Sequence, residues 1–306
     1  MYSGSITDVQ GLLVGHAQDT IGMTGVSVVL APNGAVCGVD VRGSAPGTRE
    51  TDLLGQAKAV QQVQAVLLAG GSAYGLAAAD GVMIYCEQQK MGVHTAEAVV
   101  PIVPAAVIYD LGFGRSDIRP NAGMGYAACI NAGSKVQQGS IGAGMGATVG
   151  KVLGMTSAQK GGIGTASIIL PKGVVVGALV CVNAFGDVVE RGEVLAGAHR
   201  NGTHIGTSQY LMEHAVDLGK MMGQNTTIGA VATNVALTKD EATKLAQVAH
   251  DGLAKSIDPI HTMLDGDTMF ALSYGSKQLD INALITATAE AVRRAVINAV
   301  LAGMGK

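Results

Sequence analysis

Continuous runs of aliphatic residues constrain the fold of this chain more than any other feature. Each run is rich in Val and Ile, and most are bounded by Gly or Pro, which is typical of strands. The runs are apolar throughout, so both faces of each strand should be buried, and helices must cover part of the sheet. We therefore predict layered sheets between helices, with strands at residues 25–31, 35–41, 65–68, 106–109, 166–170, 174–182, 228–234 and 269–273.

Helices are predicted at residues 76–88, 242–256 and 281–301. The second has a capping box before it, formed by Thr238 and Glu241. Asp280 can cap the third, which carries an apolar stripe. Residues 169–174 hold Pro and Gly at turn positions, which predicts a tight hairpin between two strands.

The bulk composition favours one large domain without a nucleic-acid or membrane partner. The 306 residues are 48% hydrophobic and 14% charged, with 44 glycines, so we expect a large core and tight turns. No linker, charge block or repeat divides the sequence, and residues 1–306 are interpreted as a single catalytic domain. A net charge of −3 provides no basic surface for nucleic acid or anionic lipid.

Several features predict a cytoplasmic protein. No basic stretch followed by an apolar one marks a signal peptide in residues 1–8. The longest apolar runs, such as 173–182, are too short to cross a bilayer. The cysteines are widely spaced, which is typical of small buried side chains in a reducing compartment; they are Cys37, Cys86, Cys129 and Cys181.

The sequence predicts neither a nucleotide cofactor nor a metal. In the glycine-rich stretch 140–151, a phosphate-binding loop would need Gly where Met145 stands and Ser or Thr where Val152 stands. The glycine-rich backbone can instead bring Lys151 close to a site. None of the histidines has metal-ligand spacing, and each is interpreted as a surface or core residue; they are His16, His94, His199, His204, His214, His250 and His261.

Residues 224–231 combine a polar loop with the start of a buried strand and place Thr226 at the junction. If the peptide bond between Asn225 and Thr226 breaks, the threonine gains a free amine beside its hydroxyl. Nucleophile and general base then lie on one residue. The reference pKa of an α-amine is about 7.7–8.0, so part of it is neutral near physiological pH. The Asn-Thr pair alone equally fits an ordinary strand start.

Asp265 and Asp267 flank a glycine just before the predicted strand at 269–273. One interpretation is a simple turn, because Asp and Gly are common turn residues. The other is a pair of carboxylates that accepts hydrogen bonds from an ammonium group.

Five stretches together resemble the DmpA-type aminopeptidases, which are N-terminal-nucleophile-like hydrolases that cleave themselves once and then hydrolyse amides. The stretches occur in the family's order and at similar spacing. Within the family they are most similar to the nylon-oligomer (6-aminohexanoate-oligomer) hydrolase branch. They are residues 107–110, 142–145 with 150–152, 182–183, 225–228 with 232–235, and 261–262 with 265–268.

The resemblance implies that Thr226 is the nucleophile and that the chain cleaves itself between Asn225 and Thr226. The products would be an α subunit of residues 1–225 and a β subunit of residues 226–306. Asn183 would donate an amide N–H to the oxyanion of the tetrahedral intermediate. The implied fold is a four-layer α/β/β/α sandwich, and the implied assembly is a homotetramer of processed protomers without a cofactor.

The resemblance also assigns the surrounding groups. Tyr109 would donate a hydrogen bond near the reacting centre, and Lys151 would lie beside the nucleophile. Asp265 and Asp267 would orient the threonine amine and adjust its basicity. In the aminopeptidase branch an acidic residue, which holds the substrate amine, stands where this chain has Val107.

That branch also tends to have a serine nucleophile and a Ser-x-Glu pair, so Thr226 and the two aspartates favour the nylon-oligomer branch. The predicted function is hydrolysis of nylon-type oligoamides or peptides. One alternative is an aminopeptidase for peptides, β-peptides, or D-amino acid amides and esters. Further alternatives are an acyltransferase of the ornithine-acetyltransferase type and a glycine-rich scaffold without activity.

Overall fold

A computed structural model describes residues 1–215 and 224–306. In these ranges the helices are α1 Ala78–Gln88, α2 Ala122–Ile130, α3 Thr207–His214, α4 Lys239–Ala254 and α5 Ile281–Gly303. The strands are β1 Leu13–Asp19, β2 Thr24–Val41, β3 Thr48–Arg49, β4 Val63–Ala69, β5 Val93–His94, β6 Val99–Val100, β7 Ala105–Val107, β8 Thr148–Val149, β9 Gln159–Lys160, β10 Gly162–Leu170, β11 Val174–Asn183, β12 Asp187–Glu190, β13 Glu193–Ala196, β14 His199–Arg200, β15 Thr203–His204, β16 Thr226–Val235, β17 Ile257–Asp258 and β18 Thr268–Lys277.

The long strand β2 belongs to two sheets. Its first half pairs with β1 and β4 in the first sheet, which also contains β7 and β3. Its second half pairs with β18 in the second sheet, which also contains β16, β11 and β10. The full order is β10-β11-β16-β18-β2-β4-β7-β3, with β1 beside β2. The sequence predicted two separate strands here, at 25–31 and 35–41. They are one strand, because the Pro-Asn-Gly segment at 32–34 lies where the register shifts and β2 passes from one sheet to the other.

Three apolar clusters separate four layers of structure. Between the sheets, Leu68 and Ile108 of one sheet share a core with Leu179, Ile228 and Phe270 of the other. Helices α1 and α2 cover the outer face of the first sheet. Helices α4 and α5 cover the outer face of the second sheet. The predicted α/β/β/α sandwich is therefore confirmed.

Local signals placed several elements correctly. Thr238 and Glu241 form the predicted capping box at the start of α4, and the Asp280 side chain caps α5. Strands β10 and β11 form the predicted hairpin, joined by the short turn Pro171–Gly173. Helix α2 was not predicted, since its sequence contains two glycines and has little apolar periodicity. Its glycines instead allow close packing on α1: a Cβ on Gly125 would lie 1.9 Å from the Ala78 carbonyl oxygen.

The strand directions bring four chain segments together at one end of the second sheet. Strand β16 begins where antiparallel β11 ends, with Thr226 opposite Asn183. Strand β18 runs parallel to β16 and begins at the same end, directly after Asp267. Antiparallel β2 ends there as well, with Val41 opposite Thr268.

Candidate active site

Thr226 is the first residue of β16 and is almost completely buried, with 4% of its surface exposed. In the intact chain its hydroxyl donates a hydrogen bond to the carbonyl oxygen of Asn225. The backbone N–H of Gly266 donates to the same oxygen at 2.9 Å. The carbonyl that self-cleavage would attack is thus held between the hydroxyl and a backbone amide.

The Asn183 side chain is fixed by three contacts beside Thr226. Its Oδ1 accepts hydrogen bonds from the Thr148 backbone N–H at 3.0 Å and from the Lys151 amine at 2.9 Å. Its Nδ2 donates to the backbone carbonyl of Tyr109 at 2.9 Å. Because both donors contact the same oxygen, the amide orientation is set by the network.

Lys151 is buried, and its amine donates to both the backbone carbonyl and the side-chain oxygen of Asn183, at 2.8 and 2.9 Å. Burial lowers the pKa of the Lys151 amine to about 7, although the nearby Asp265 carboxylate favours its charged form. A substantial fraction of this amine is therefore neutral near pH 7, which allows it to accept a proton.

Asp265 is fully buried and is held by donors on two sides. One carboxylate oxygen accepts from the Thr262 hydroxyl at 2.5 Å and from its N–H at 3.1 Å. The other accepts from the Phe185 N–H at 3.3 Å. The pKa of Asp265 is raised to about 6, mainly by burial and secondly by the charge of Asp267.

Asp267 is also fully buried, and it contacts Thr227, the residue after Thr226. One carboxylate oxygen accepts from the Thr227 N–H at 2.6 Å. The other accepts from the His261 ring at 2.8 Å and from the His261 backbone N–H at 3.3 Å. Asp267 therefore fixes the start of β16 through the backbone of Thr227.

His261 is a site residue that the sequence interpretation missed. The spacing of the histidines argues only against metal sites. His261 donates a hydrogen bond to a carboxylate six positions later. The His261 ring packs edge-on against His250, with ring centres 4.8 Å apart. Burial lowers the pKa of His250 to about 4, so its ring is neutral near pH 7.

Two cavities meet at Tyr109. The smaller, of about 90 Å³, is lined by Thr226 and by Val107. The larger, of about 190 Å³, is lined by Lys151 and by the apolar side chains of Phe113 and Met155. Thr226 thus lines a small space, and a mainly apolar space lies on the other side of Tyr109.

The structure brings the predicted site residues into one connected cluster. Asn183 lies opposite Thr226, Lys151 contacts Asn183, and the two aspartates contact the residues next to Thr226. Tyr109 reaches Asn183 through its backbone carbonyl. A buried hydroxyl, a side-chain amide, an amine of low pKa and two carboxylates lie together here, and such groups can support acyl transfer.

Residues 1–215 and 224–306 contain no cluster of three His, Cys, Asp or Glu side chains suited to a metal ion. Within the same ranges, none of the helices has the length and hydropathy needed to cross a membrane.

Comparison with protein families gives one match over nearly the whole chain: residues 4–305 match the model of peptidase family S58. The chain is 45% identical to an uncharacterized aminopeptidase of Mycobacterium tuberculosis over 327 aligned positions, covering 98% of this chain and 93% of the relative. It is 32% identical to the 6-aminohexanoate-oligomer endohydrolase of Kocuria, covering 87% of this chain and 74% of the relative.

Solved structures share the fold at lower sequence identity. The L-aminopeptidase D-Ala-esterase/amidase of Ochrobactrum anthropi, described as a variant of the Ntn-hydrolase fold, is 19% identical with a TM-score of 0.73. That comparison covers 96% of this chain and 85% of the other. A Burkholderia β-aminopeptidase is 22% identical with a TM-score of 0.72, covering 97% and 86%.

Proposed function

This chain belongs to peptidase family S58 and is a hydrolase of amide bonds, and we propose that it activates itself by cleavage between Asn225 and Thr226. The mature catalyst would consist of residues 1–225 and 226–306 in one catalytic domain. Thr226 would then act as an N-terminal nucleophile whose own amine is the general base.

The contact between the Thr226 hydroxyl and the Asn225 carbonyl oxygen carries this proposal. A hydroxyl buried against the carbonyl of the preceding residue is positioned for intramolecular attack, which avoids most of the entropic cost of bringing two reactants together. The pairing of Thr226 with Asn183 and the contact of Thr227 with Asp267 hold that geometry on both sides.

Self-cleavage would proceed through an ester. The Thr226 oxygen bonds to the Asn225 carbonyl carbon, the carbon–nitrogen bond breaks, and the hydroxyl proton ends on the released amine. Water then adds to the ester carbon, the Thr226 oxygen leaves with a proton, and Asn225 keeps the new carboxylate. Peptide nitrogen becomes free amine in this sequence, so the product has the base that the intact chain lacks.

Substrate hydrolysis would use the same hydroxyl with a different base. The free amine removes the hydroxyl proton, the oxygen attacks the substrate amide, and the amine returns the proton to the leaving nitrogen. Asn183 would donate to the oxyanion, Tyr109 would donate a hydrogen bond near the same centre, and the two aspartates would orient the amine.

The cavities support a linear substrate with apolar segments, such as a nylon-type oligoamide or a peptide. The wall with Phe113 and Met155 favours methylene groups, although Asp110 and Lys151 line other parts of the same cavity. In the smaller cavity Val107 provides no carboxylate for a substrate amine. The identity to the Mycobacterium tuberculosis relative keeps an aminopeptidase for peptides, β-peptides or D-amino acid derivatives as the second candidate. An acyltransferase is distinguished from both because it needs an amine acceptor.

The homotetramer and the cytoplasmic location stay predictions.

Intact-mass measurement on the purified protein tests the central step. We expect two chains, and N-terminal sequencing of the smaller should begin Thr-Thr-Ile-Gly. Thr226→Ala should give one full-length chain without amidase activity, and Thr226→Ser should still be processed because it keeps a hydroxyl. An active wild-type protein with a single intact mass would contradict the proposal.

Substrate pairs separate the candidate functions. An oligoamide hydrolase should cleave N-blocked and free-amine anilides of the same acid at similar rates, whereas an aminopeptidase should require the free amine. Release of free acid without an added amine acceptor would exclude obligatory acyl transfer.

A further inference from the structure

We propose that the backbone N–H of Gly266 is the oxyanion donor for self-cleavage, an assignment that rests on the proposed function. In the intact chain this N–H donates to the Asn225 carbonyl oxygen at 2.9 Å. When the Thr226 oxygen bonds to the carbonyl carbon, the negative charge develops on that same carbonyl oxygen. A donor already aligned with it stabilises the tetrahedral intermediate without further movement.

The other donors near this oxygen are unsuited to the task. The Thr226 hydroxyl also donates to it, but the hydroxyl loses its proton as its oxygen forms the new bond. The Asn183 side-chain nitrogen, which we propose as the donor for substrate, donates one N–H to the Tyr109 carbonyl and has no hydrogen bond to the Asn225 carbonyl oxygen in the intact chain. Self-cleavage and substrate hydrolysis would therefore rely on different principal donors.

The two aspartates hold the Gly266 peptide from both sides. On one side the Asp265 backbone carbonyl accepts from the Ala45 N–H at 3.0 Å, while the Thr262 hydroxyl binds the Asp265 carboxylate at 2.5 Å. On the other side the Asp267 backbone carbonyl accepts from the Gly43 N–H at 3.1 Å. A backbone amide fixed in this way is a preorganised dipole, which is what makes an oxyanion donor effective.

The fit around Gly266 explains why this position is glycine. A Cβ at this residue would lie 2.5 Å from the Ala45 carbonyl oxygen and 2.9 Å from the Thr226 hydroxyl oxygen. Any side chain would therefore displace the peptide or the nucleophile. Glycine permits the close approach of the donor backbone to the reacting carbonyl.

Replacing the Gly266 amide by an ester tests the assignment directly. Cell-free translation with glycolic acid at position 266 removes the N–H and adds no atoms at the crowded site. The matched control carries glycolic acid at Gly55, which follows the short turn Asp52–Leu54 and whose N–H donates to the Asp52 carbonyl oxygen at 3.2 Å. The readout is the rate at which the residue 1–225 fragment appears by mass.

We expect the ester at 266 to slow fragment formation by about 10²–10³-fold, the usual effect of losing one oxyanion donor. The ester at 55 should leave the rate within about threefold of wild type, since it removes a hydrogen bond remote from the site. Equal rates for both esters would overturn the assignment. Failure of the wild type to form the fragment would instead overturn the proposed self-cleavage.

A second pair of variants tests the same assignment by adding a side chain at a glycine. Gly266→Ala should slow processing at least about 10²-fold, because its Cβ displaces the donor peptide or the Thr226 hydroxyl. The control is Gly275→Ala, which introduces a similar backbone clash, 2.3 Å from the Asn234 carbonyl oxygen, at the far end of β18. Rates are measured on the folded fraction isolated by gel filtration. Processing of Gly266→Ala at the Gly275→Ala rate would contradict the proposal.

Discussion

Replacing Lys151 with methionine should remove a specific pH dependence from the folding stability. The amine is buried, and burial lowers its pKa to about 7 from the 10.5 of a solvated lysine. Between these two values the folded protein holds this amine mainly neutral, whereas the unfolded chain keeps it charged. The unfolded state therefore binds more protons, and the free energy of unfolding rises with pH in this window.

The size of the effect follows from the number of protons that the unfolded chain binds in excess of the folded protein. A difference of one bound proton changes the free energy of unfolding by about 1.4 kcal/mol per pH unit. Between pH 7.5 and 9.0 the wild-type lysine should therefore add about 2 kcal/mol to the free energy of unfolding. This window lies above the pKa of about 6 of Asp265, so the neighbouring carboxylate stays ionised throughout.

Urea unfolding at several pH values measures this difference. Both proteins should carry Thr226→Ala, so that the chain stays intact and one covalent species unfolds. The gap between the Lys151 protein and Lys151→Met should change by about 2 kcal/mol from pH 7.5 to 9.0 in favour of lysine. The exposed Lys135 provides the control, since Lys135→Met should give a flat difference. A flat difference for Lys151→Met as well would refute the buried neutral amine.

Variants at three further residues test other parts of the site. Asn183→Ala should lower kcat of the processed enzyme about 10²–10³-fold, measured per mole of processed chain, because it removes an oxyanion donor. His261→Ala should lower the free energy of unfolding by about 1–3 kcal/mol, because buried Asp267 loses a donor; His261→Gln should recover part of this in urea unfolding. Phe113→Ala should raise kcat/KM for bulky relative to small acyl groups about tenfold, because it widens the larger cavity. Unchanged selectivity would show that this cavity does not bind the acyl group.

The fold was largely predictable because its strands carry strong local signals. Runs such as Val174–Asn183 are apolar on both faces, and the capping box of Thr238 and Glu241 marks the start of α4. The passage of β2 from one sheet to the other was not predictable, because Pro32 and Gly34 within it have the composition of a turn. The flanking parts of β2 pair with β1, β4 and β18, and these long-range pairings are not visible in the local sequence.

The site was predictable to the extent that its residues occur in recognisable short stretches. Thr226 and the Asp265–Asp267 pair were identified from such stretches, and the fold does bring them together. His261 and the Gly266 amide were missed, because their roles depend on contacts and not on residue type. A histidine that binds a carboxylate and a glycine that presents its N–H have no spacing rule of their own.

The intact chain and the mature enzyme pose different proton-transfer problems for one hydroxyl. Before cleavage the Thr226 nitrogen is part of a peptide bond and cannot act as a base, so another group must accept the hydroxyl proton first. Lys151 is buried within the Asn183 network, and burial lowers the pKa of its amine to about 7, so under the proposed self-cleavage this amine could accept that proton. After the proposed cleavage the new Thr226 amine would take over. A low lysine pKa would then serve the single activating turnover, and the repeated turnovers would depend on the amine that this step creates.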